Sequence, residues 1–452
     1  MSLNVALNVA LSGLFANQTA IAATSENIAN VNTENFSARD VRFTADALPD
    51  QFAGVSADVS RRAADRFLQE TNFTARGRLS EATIRSDALG NVEASLGRLD
   101  QDISYASRLD QAFSALVAVS ANPQSVATKA DALARLDDTF AAFGRTLDAI
   151  DTELSSASSS LEIGIERVNG TLETIFRLNQ IASSSDGAKD QIDAALASLS
   201  DDLAFSVARA EDGTVSVALS DGTVIADNTG FVTFGFDPNI SPAVISAART
   251  DGVTGNASAL TGDISASLGD GALGGLVGLI NTDLPDLFSL VDGVMREVVG
   301  ELNAAYILNT ISGQATPTTD VLIVESNGRF AVNADIRANP DQFAVARPTT
   351  GATAGTTDGS GAAALAAIGS NPSVLAVQES IAQIGVQARN ASIDAATNEA
   401  IVSDVNLRLA NGSGVNLDEE LSNLIIFQQS YSANARVIAT VDELWETLLS
   451  VL

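Results

Sequence analysis

The residues of this chain that could do chemistry are carboxylates. They cluster at Asp137 and Asp138, at Asp201 and Asp202, and at residues 418–420. Acid–base catalysis needs two carboxylates with differently shifted pKa values in one cleft, whereas these clusters fall on predicted helix surfaces or ends, where solvated charge is usual. The chain has no histidine and no cysteine, which excludes Ser-His-Asp and Cys-His catalysis, disulfides, and imidazole or thiolate metal sites. We therefore expect no catalytic residues, no metal site and no cofactor.

Two Asp-Gly pairs, at 212–213 and 221–222, raise the question of calcium. A calcium loop needs oxygen ligands at alternating positions around a glycine. The segment DGTVSVALSDGTVIA instead alternates apolar and polar residues between the pairs, which predicts strands joined by hairpin turns.

The bulk composition is that of a folded, acidic protein. The 452 residues are 46% apolar and 18% charged, with a net charge of −31 and a pI near 4.1. This composition can bury a large core. The charge repels nucleic acid and anionic lipid, so neither is expected as a partner.

The first 37 residues, MSLNVALNVALSGLFANQTAIAATSENIANVNTENFS, are unusually poor in charge. The first basic residue is Arg39, whereas a secretory signal begins with a basic region. Asn, Ser, Gln and Thr interrupt the apolar run too often for a membrane span. We expect neither a cleaved signal peptide nor membrane insertion.

This stretch has the spacing of a helix made for packing. Its seam follows intervals of three and four with one slip, as in a coiled coil, through Leu3, Leu7, Ala10, Leu14, Gln18, Ile21, Ser25 and Ile28.

The other end of the chain is similar. Asn416 and Glu419 predict a capping box. The seam behind it consists of Leu417, Leu421, Leu424, Gln428, Tyr431, Ala435, Ile438, Val441, Trp445, Leu448 and Leu452. The two terminal helices are predicted to pair with each other or with neighbouring subunits.

The middle of the chain predicts a helical bundle with an inserted β domain, so the fold class is mainly α with inserted β. Helical seams run over 89–103 and 133–175, with a break at Asn122-Pro123. The period changes to two near residue 202. Residues 39–76 predict a loop with short strands, and 321–333 predict a hairpin across Asn327-Gly328.

The sequence thus divides into four parts. They are a terminal coiled-coil domain (1–36 with 413–452), a helical rod domain (37–199 with 271–312 and 362–412), a β domain (200–270), and a hairpin with a flexible loop whose assignment is open (313–361).

Residues 10–37 resemble the N-terminal motif of the flagellar rod/hook axial protein family. The matching positions are Ser12, Gly13, Leu14, Gln18, Asn27, Asn30, Asn32, Thr33 and Phe36. Residues 413–449 resemble the C-terminal motif of that family equally closely.

Within the family the chain is most similar to the hook-associated, FlgK-type branch. Phe36-Ser37, the helical block 78–182 and the glycine-rich helix 271–306 carry this resemblance. The chain departs from the pattern at Asn35, where the family has glycine, and at residues 189–193, where the family has Leu-Asp-Gln-Arg-Asp. Asparagine tolerates positive φ better than most residues, so we expect the turn at Asn35 to form.

The resemblance implies a structural role without enzymatic activity. Such subunits leave the cell through the flagellar type III channel without a cleaved signal, and form a layer between hook and filament in which the terminal helices line the tube. The implied partners are further copies of the chain, the hook protein, the second junction protein, and an export chaperone at the C-terminal helix. The implied assembly residues are Leu3, Leu7, Leu14, Ile21 and Ile28, together with Leu417, Leu421, Leu424, Tyr431, Ile438, Val441, Trp445 and Leu448.

Three other interpretations remain. A flagellar hook or distal-rod subunit would share both terminal motifs but not the 78–182 bundle. A surface adhesin with a helical stalk would need a signal or an anchor. An acidic hydrolase would need a carboxylate pair in a cleft.

Overall fold

The structure is a computed structural model, and it describes residues 3–33, 36, 38–48, 51–61, 66–96, 104–260, 262–347, 352–413 and 415–451. The helices in these ranges are α1 (Leu3–Ala29), α2 (Arg66–Leu96), α3 (Tyr105–Ala121), α4 (Val126–Asn179), α5 (Asp186–Asp202), α6 (Ala272–Gly278), α7 (Leu284–Tyr306), α8 (Ala334–Ala338), α9 (Ser360–Ala367), α10 (Pro372–Ser413) and α11 (Leu417–Val451). The strands are β1 (Arg39–Leu48), β2 (Gln51–Arg61), β3 (Ser206–Arg209), β4 (Val215–Ala218), β5 (Val224–Ala226), β6 (Gly230–Phe236), β7 (Ile245–Asp251), β8 (Ala257–Ala259), β9 (Ile323–Ser326) and β10 (Arg329–Val332).

The two ends of the chain form one unit, which we call the terminal module: α1, β1, β2 and α11. Helix α1 packs along α11, and the antiparallel β1–β2 hairpin packs on α1. The prediction of a loop with short strands over 39–76 was wrong, because β1 and β2 have 10 and 11 residues and α2 already begins at Arg66. Since the hairpin packs on α1, it lies with the terminal helices and not with the rod domain to which residues 37 onward were assigned.

The remaining elements, from α2 to α10, form the body. Helix α4 is its longest element, with 54 residues or about 80 Å at 1.5 Å per residue. The hydroxyl of Ser125 accepts a hydrogen bond from the Thr128 amide and caps it. The break predicted at Asn122-Pro123 is confirmed, since α3 ends at Ala121.

The seam of α4 serves two cores in succession. Its first half, from Leu133 to Ile150, packs in a bundle with α3, α7, α9 and α10. Its second half, from Leu161 to Ile175, packs against α5, α6 and the sheet. One helix therefore joins the helical bundle to the β domain.

The predicted inserted β domain is a six-stranded antiparallel sheet in which β3 to β8 follow in sequence order. The Asp-Gly pairs make the turns as predicted, with φ of +89° at Gly213 and +87° at Gly222. Asp212 Oδ1 accepts from the Thr214 amide, and Asp221 Oδ1 accepts from the Thr223 amide. Residues 227, 237, 251 and 263 are aspartates that accept backbone amides in the same way. These carboxylates stabilise turns, which accounts for their number in this domain.

Helix α6 is glycine-rich because it packs against backbone. A Cβ on Gly274 would overlap the Gly269 carbonyl oxygen, and one on Gly275 would lie 3.2 Å from Glu81 Cα. A π-helical turn at residues 279–283 then leads into α7.

The predicted hairpin at 321–333 is confirmed as β9 and β10, with Asn327 and Gly328 at positive φ. Arg329 holds it to α4 through Asp148 and Asp151, at 2.6 and 3.1 Å. The loop predicted as flexible at 349–361 lies partly outside the described residues. Its remaining part is packed, since Ala354 is buried and exchanges backbone hydrogen bonds with Gly313 and Gln314.

Two helical segments in the described ranges, Leu3–Ala29 and Ser360–Asn411, are long and apolar enough to cross a membrane by length and composition alone. In the second, Val374, Val377, Ile381 and Ile384 are buried in the bundle core. The first is the helix that packs on α11.

We expect Gly274→Ala to destabilise the body by about 1–3 kcal/mol, because its methyl group would overlap the Gly269 carbonyl. Gly300→Ala on α7 is the matched control. A Cβ there meets nothing within 4 Å, so it should stabilise α7 by about 0.5–1 kcal/mol. Urea unfolding followed by circular dichroism measures both, and equal effects would contradict the packing of α6.

The tyrosines provide a test of the core. Burial raises the pKa of Tyr105 and of Tyr306 to about 12. Because the folded-state pKa lies above the unfolded value near 10, their contribution to stability is complete below pH 10 and is lost as the pH rises toward 12. Absorbance at 295 nm should show Tyr105→Phe removing a late-titrating group, whereas Tyr431→Phe should leave both late groups. Ionisation of Tyr105 and Tyr306 near pH 10 in the folded protein would exclude this core.

Candidate assembly interface

Small residues, and not the predicted leucines, form the buried face of α1. The buried positions are Ala10, Gly13, Ala16, Asn17, Ala20, Ala23, Thr24 and Asn27. A Cβ on Gly13 would lie 2.8 Å from Nδ2 of Asn434 in α11. The missing side chain therefore allows the two helices to approach closely.

The predicted α1 seam flanks this contact. Its large residues Leu3, Leu7, Leu14, Ile21 and Ile28 are half-buried, while Gln18 and Ser25 are exposed. The predicted seam follows the largest apolar residues, whereas the contact with α11 uses the smallest, and of the seam only Ala10 is buried. The half-buried leucines keep surface available to other chains, so their assembly role stays a prediction.

The side chain of Asn27 joins three elements of the terminal module. Its Oδ1 accepts from the Arg39 amide at 2.7 Å, and its Nδ2 donates to the Arg39 carbonyl at 3.0 Å. Nδ2 also donates to Glu420 Oε1 in α11 at 3.0 Å. Asn27 is fully buried and Glu420 is 5% exposed. The amide therefore holds the start of β1 and the first turn of α11 against α1.

Other motif residues also hold the terminal module together. Ser12 Oγ accepts from the Val55 amide at 3.1 Å and anchors β2 on α1. Asn30 Oδ1 accepts from the Thr33 hydroxyl at 3.2 Å in the turn that ends α1. Asn32 is exposed. Asn35, with its expected turn, and Ser37 lie outside the described residues.

Arg39 is the charged centre of this region, and sequence reasoning missed it. Its Nε lies 3.3 Å from Glu26 Oε1 and its Nη2 lies 2.6 Å from Asp190 Oδ2. The guanidinium also stands 5.3 Å from the Phe36 ring centroid. Burial opposes its charge, but the carboxylates of Asp190 and Glu26 outweigh burial and raise the pKa of Arg39. Although residues 189–193 depart from the family pattern, they retain Asp190, whose carboxylate forms this ion pair with Arg39.

The predicted seam of α11 is largely open to solvent. Val441 is buried and Leu424 and Ile438 are half-buried. Leu452, its last member, lies outside the described residues. The exposed apolar members are Leu417, Leu421, Tyr431, Trp445 and Leu448, at 36–51%.

The structure adds exposed apolar residues that the seam does not contain. They are Val9, Leu11 and Phe15 on α1, Phe43 on β1, Ile425, Ile426, Val437, Leu444 and Leu449 on α11, and Val386, Ile393 and Leu407 on α10. The sequence could have indicated the α11 members, because this helix contains more apolar residues than its predicted seam includes. The members on α1, β1 and α11 all belong to the terminal module, which makes this module the candidate for an interaction surface.

In the structure, carboxylates of two predicted acidic clusters form ion pairs with arginines. Asp137, Asp201 and Asp202 pair with Arg337, Arg76 and Arg167 at 2.6–2.7 Å. Among the described residues, no three or more His, Cys, Asp or Glu side chains are grouped to hold a metal ion.

An open cleft of about 660 Å³ lies between α2, α7 and α10. Burial, aided by Asp270, raises the pKa of Glu81 on its wall. Asp270 and Asp283 are each paired with an arginine at 2.9 Å. The cleft is thus an ion-paired groove between helices, and its carboxylates stabilise packing.

Family models match three parts of the chain. The model described as the flagellar hook-associated protein FlgK helical domain matches residues 89–314, which is half of the chain. The flagella basal body rod protein model matches residues 7–36. The flagellar basal body rod FlgEFG protein C-terminal model matches residues 409–451.

Whole-length relatives agree with these models. The chain is 24% identical over 515 residues to flagellar hook-associated protein 1 of Bacillus subtilis (strain 168), with 98% of this chain and 97% of that protein covered. It is 20% identical over 550 residues to the protein of the same name in Escherichia coli (strain K12), with coverage of 98% and 99%.

A solved structure is also similar. It is the flagellar hook junction protein FlgK from Burkholderia pseudomallei, with 20% identity, a TM-score of 0.49, and coverage of 57% of this chain and 47% of that one.

We expect Asn27→Ala to loosen the terminal module by about 1–3 kcal/mol, because the Arg39 amide and carbonyl lose a buried partner. Hydrogen–deuterium exchange should rise in 3–61 and 417–451 and stay unchanged in 126–179. Gln18→Ala is the control, since Gln18 is an exposed residue of the same helix. Unchanged exchange in Asn27→Ala would contradict the role assigned to this side chain.

Proposed function

The chain belongs to the FlgK family of flagellar hook-associated proteins, and we propose how its terminal module builds the junction. It is a structural component of the bacterial flagellum, at the junction between hook and filament. The assembly residues that we propose lie on the surface of the module, and the proposed partners are those of the family.

The exposed apolar surface of the terminal module is the observation that carries the proposal. Leu421, Ile425 and Leu448 are 43–56% exposed on α11, and Phe15 is 58% exposed on α1. Burial of apolar surface is worth about 25 cal/mol per Å², so contact with neighbouring subunits can drive assembly. Since successive subunits contact each other head to tail, the product is a helical tube and not a closed dimer.

The low charge of α1 supports the same arrangement. In the range Leu3–Ala29 its one charged residue is Glu26, and Arg39 neutralises that residue. A helix with this composition can be surrounded by other helices without burying unpaired charge. We propose that α1 and α11 form the inner wall of the tube and that the β domain faces outward.

For this surface we propose the partners that the family resemblance implies. On one side of the layer the terminal modules contact the hook protein, and on the other they contact the second junction protein. Before export, a chaperone covers the apolar end of α11 around Leu444, Trp445 and Leu449, which are 39–66% exposed. The chain passes through the flagellar export channel without a cleaved signal, and it acts by packing and not by catalysis.

Charge substitutions on α11 test the proposal. We expect Leu421→Asp with Leu448→Asp to abolish incorporation at the hook tip, because each places a carboxylate in a contact that must be dry. Thr440→Asp with Thr447→Asp is the matched control, since both threonines are exposed on α11 and their hydroxyls donate within the helix, to the carbonyls of Arg436 and Glu443. Electron microscopy of flagella and immunogold labelling of hook tips measure the outcome.

Circular dichroism of the purified variants checks that the body stays folded. Normal filaments in the Leu421–Leu448 variant would overturn the proposal. Cells lacking the protein should make hooks without filaments, whereas a lack of hooks would favour the hook or distal-rod alternative.

A further inference from the structure

The terminal module and the body are packed as two separate units. Within the described residues, the extensive contacts between elements fall inside the module or inside the body. The chain leaves the module after Arg61 and returns to it before Leu417. The relative orientation of the two units must therefore be set by few contacts.

One ion pair crosses this boundary from a rigid position on the module side. The Arg39 backbone is fixed on α1 by the two hydrogen bonds of Asn27, and the same amide binds Glu420 of α11. The Arg39 side chain, 4% exposed, reaches α5 of the body, where Nη2 lies 2.6 Å from Asp190 Oδ2.

The position on the body side is equally rigid. Asp193 lies on α5 three residues after Asp190. It pairs with Arg209 of β3 at 2.5 Å, and both side chains are largely buried. Helix α5 also packs on α4 and α2. Asp190 is therefore presented by a helix that is held by the sheet and by the bundle.

A buried guanidinium tolerates few alternative positions. Among the described residues, Arg39 Nη1 has no hydrogen-bond partner, so the compensation of this charge comes from Asp190 and Glu26. Glu26 lies on α1 and moves with the module, whereas Asp190 belongs to the body. A rotation of the module would separate Arg39 from Asp190 and leave a buried charge under-compensated.

We propose that the Arg39–Asp190 ion pair sets the orientation of the terminal module on the body, so that Arg39 and Asp190 are positioning residues for assembly. The fixed orientation is a property of the free subunit, and only its consequence for assembly rests on the proposed function. A subunit with a fixed orientation presents its apolar terminal surface and its body to neighbours in one geometry, and loses less conformational entropy when it joins the tube.

Distances between two spin labels in the free, full-length subunit test the inference. The chain has no native cysteine, so Ala433→Cys on α11 and Ser198→Cys on α5 place the labels uniquely, and both positions are exposed. Position 433 lies well beyond Glu420 along α11, so its distance from α5 responds to a rotation of the module. We expect one narrow distance distribution in this doubly labelled background.

Arg39→Gln and Asp190→Asn should each shift and broaden that distribution. Asp190→Asn is the decisive variant, because it alters the body side and leaves the Asn27–Arg39 hydrogen bonds of the module intact. Arg167→Gln is the control. It removes an ion pair inside the body, with Asp202 at 2.7 Å, and should leave the distribution narrow. Combining Arg39→Gln with Asp190→Asn should add little to either single change, because both remove the same interaction.

An unchanged distribution in Asp190→Asn would overturn the inference. So would equal broadening in Arg167→Gln, since the effect would then be a general loosening of the body. Neither result bears on whether the Leu421–Leu448 variant is excluded from hook tips, so failure of the inference is distinguishable from failure of the proposed function.

Discussion

The hydrogen bonds of the Asn27 side chain join the two ends of the chain, and the terminal module depends on them. Asn27 and Glu420 are 393 positions apart in sequence, so the intervening body must return the chain to its starting point. Long-range closure of this kind costs conformational entropy, which the small-residue contact of α1 with α11 offsets. That contact uses alanine and glycine and is therefore close. The larger apolar residues of both helices remain on the outside.

This division of labour between small and large residues links the fold to the function. Small residues hold the module together within one chain, and large residues on its surface are available to other chains. A module that buried its leucines internally would be more stable alone but would have little left for polymerisation. The body shows the opposite arrangement, since its leucines and phenylalanines fill two cores along α4.

Much of the architecture could be predicted from the sequence, and the failures have physical causes. The α4 seam, the break after Ala121, the Asp-Gly turns and the hairpin at Asn327-Gly328 depend on local periodicity and turn chemistry, which a sequence displays directly. The face of α1 that packs on α11 cannot be read from local periodicity. Heptad spacing selects the large apolar residues, whereas the close contact with α11 depends on the missing side chain of Gly13. The strands β1 and β2 were predicted as short because the sequence does not show that the hairpin packs on α1, where Ser12 binds the Val55 amide. The Arg39–Asp190 pair joins residues 151 positions apart, and no local pattern predicts it.

Cysteine accessibility distinguishes whether the apolar surface of α11 is exposed in the free subunit and covered in the flagellum. Leu448→Cys and Val253→Cys give unique thiols on α11 and at a β-domain turn, where Val253 is 92% exposed. Maleimide should modify both in the free protein, but in purified hook–filament assemblies it should modify the thiol at position 253 and spare the one at 448. Equal modification of position 448 in the free and assembled protein would contradict assembly through this surface.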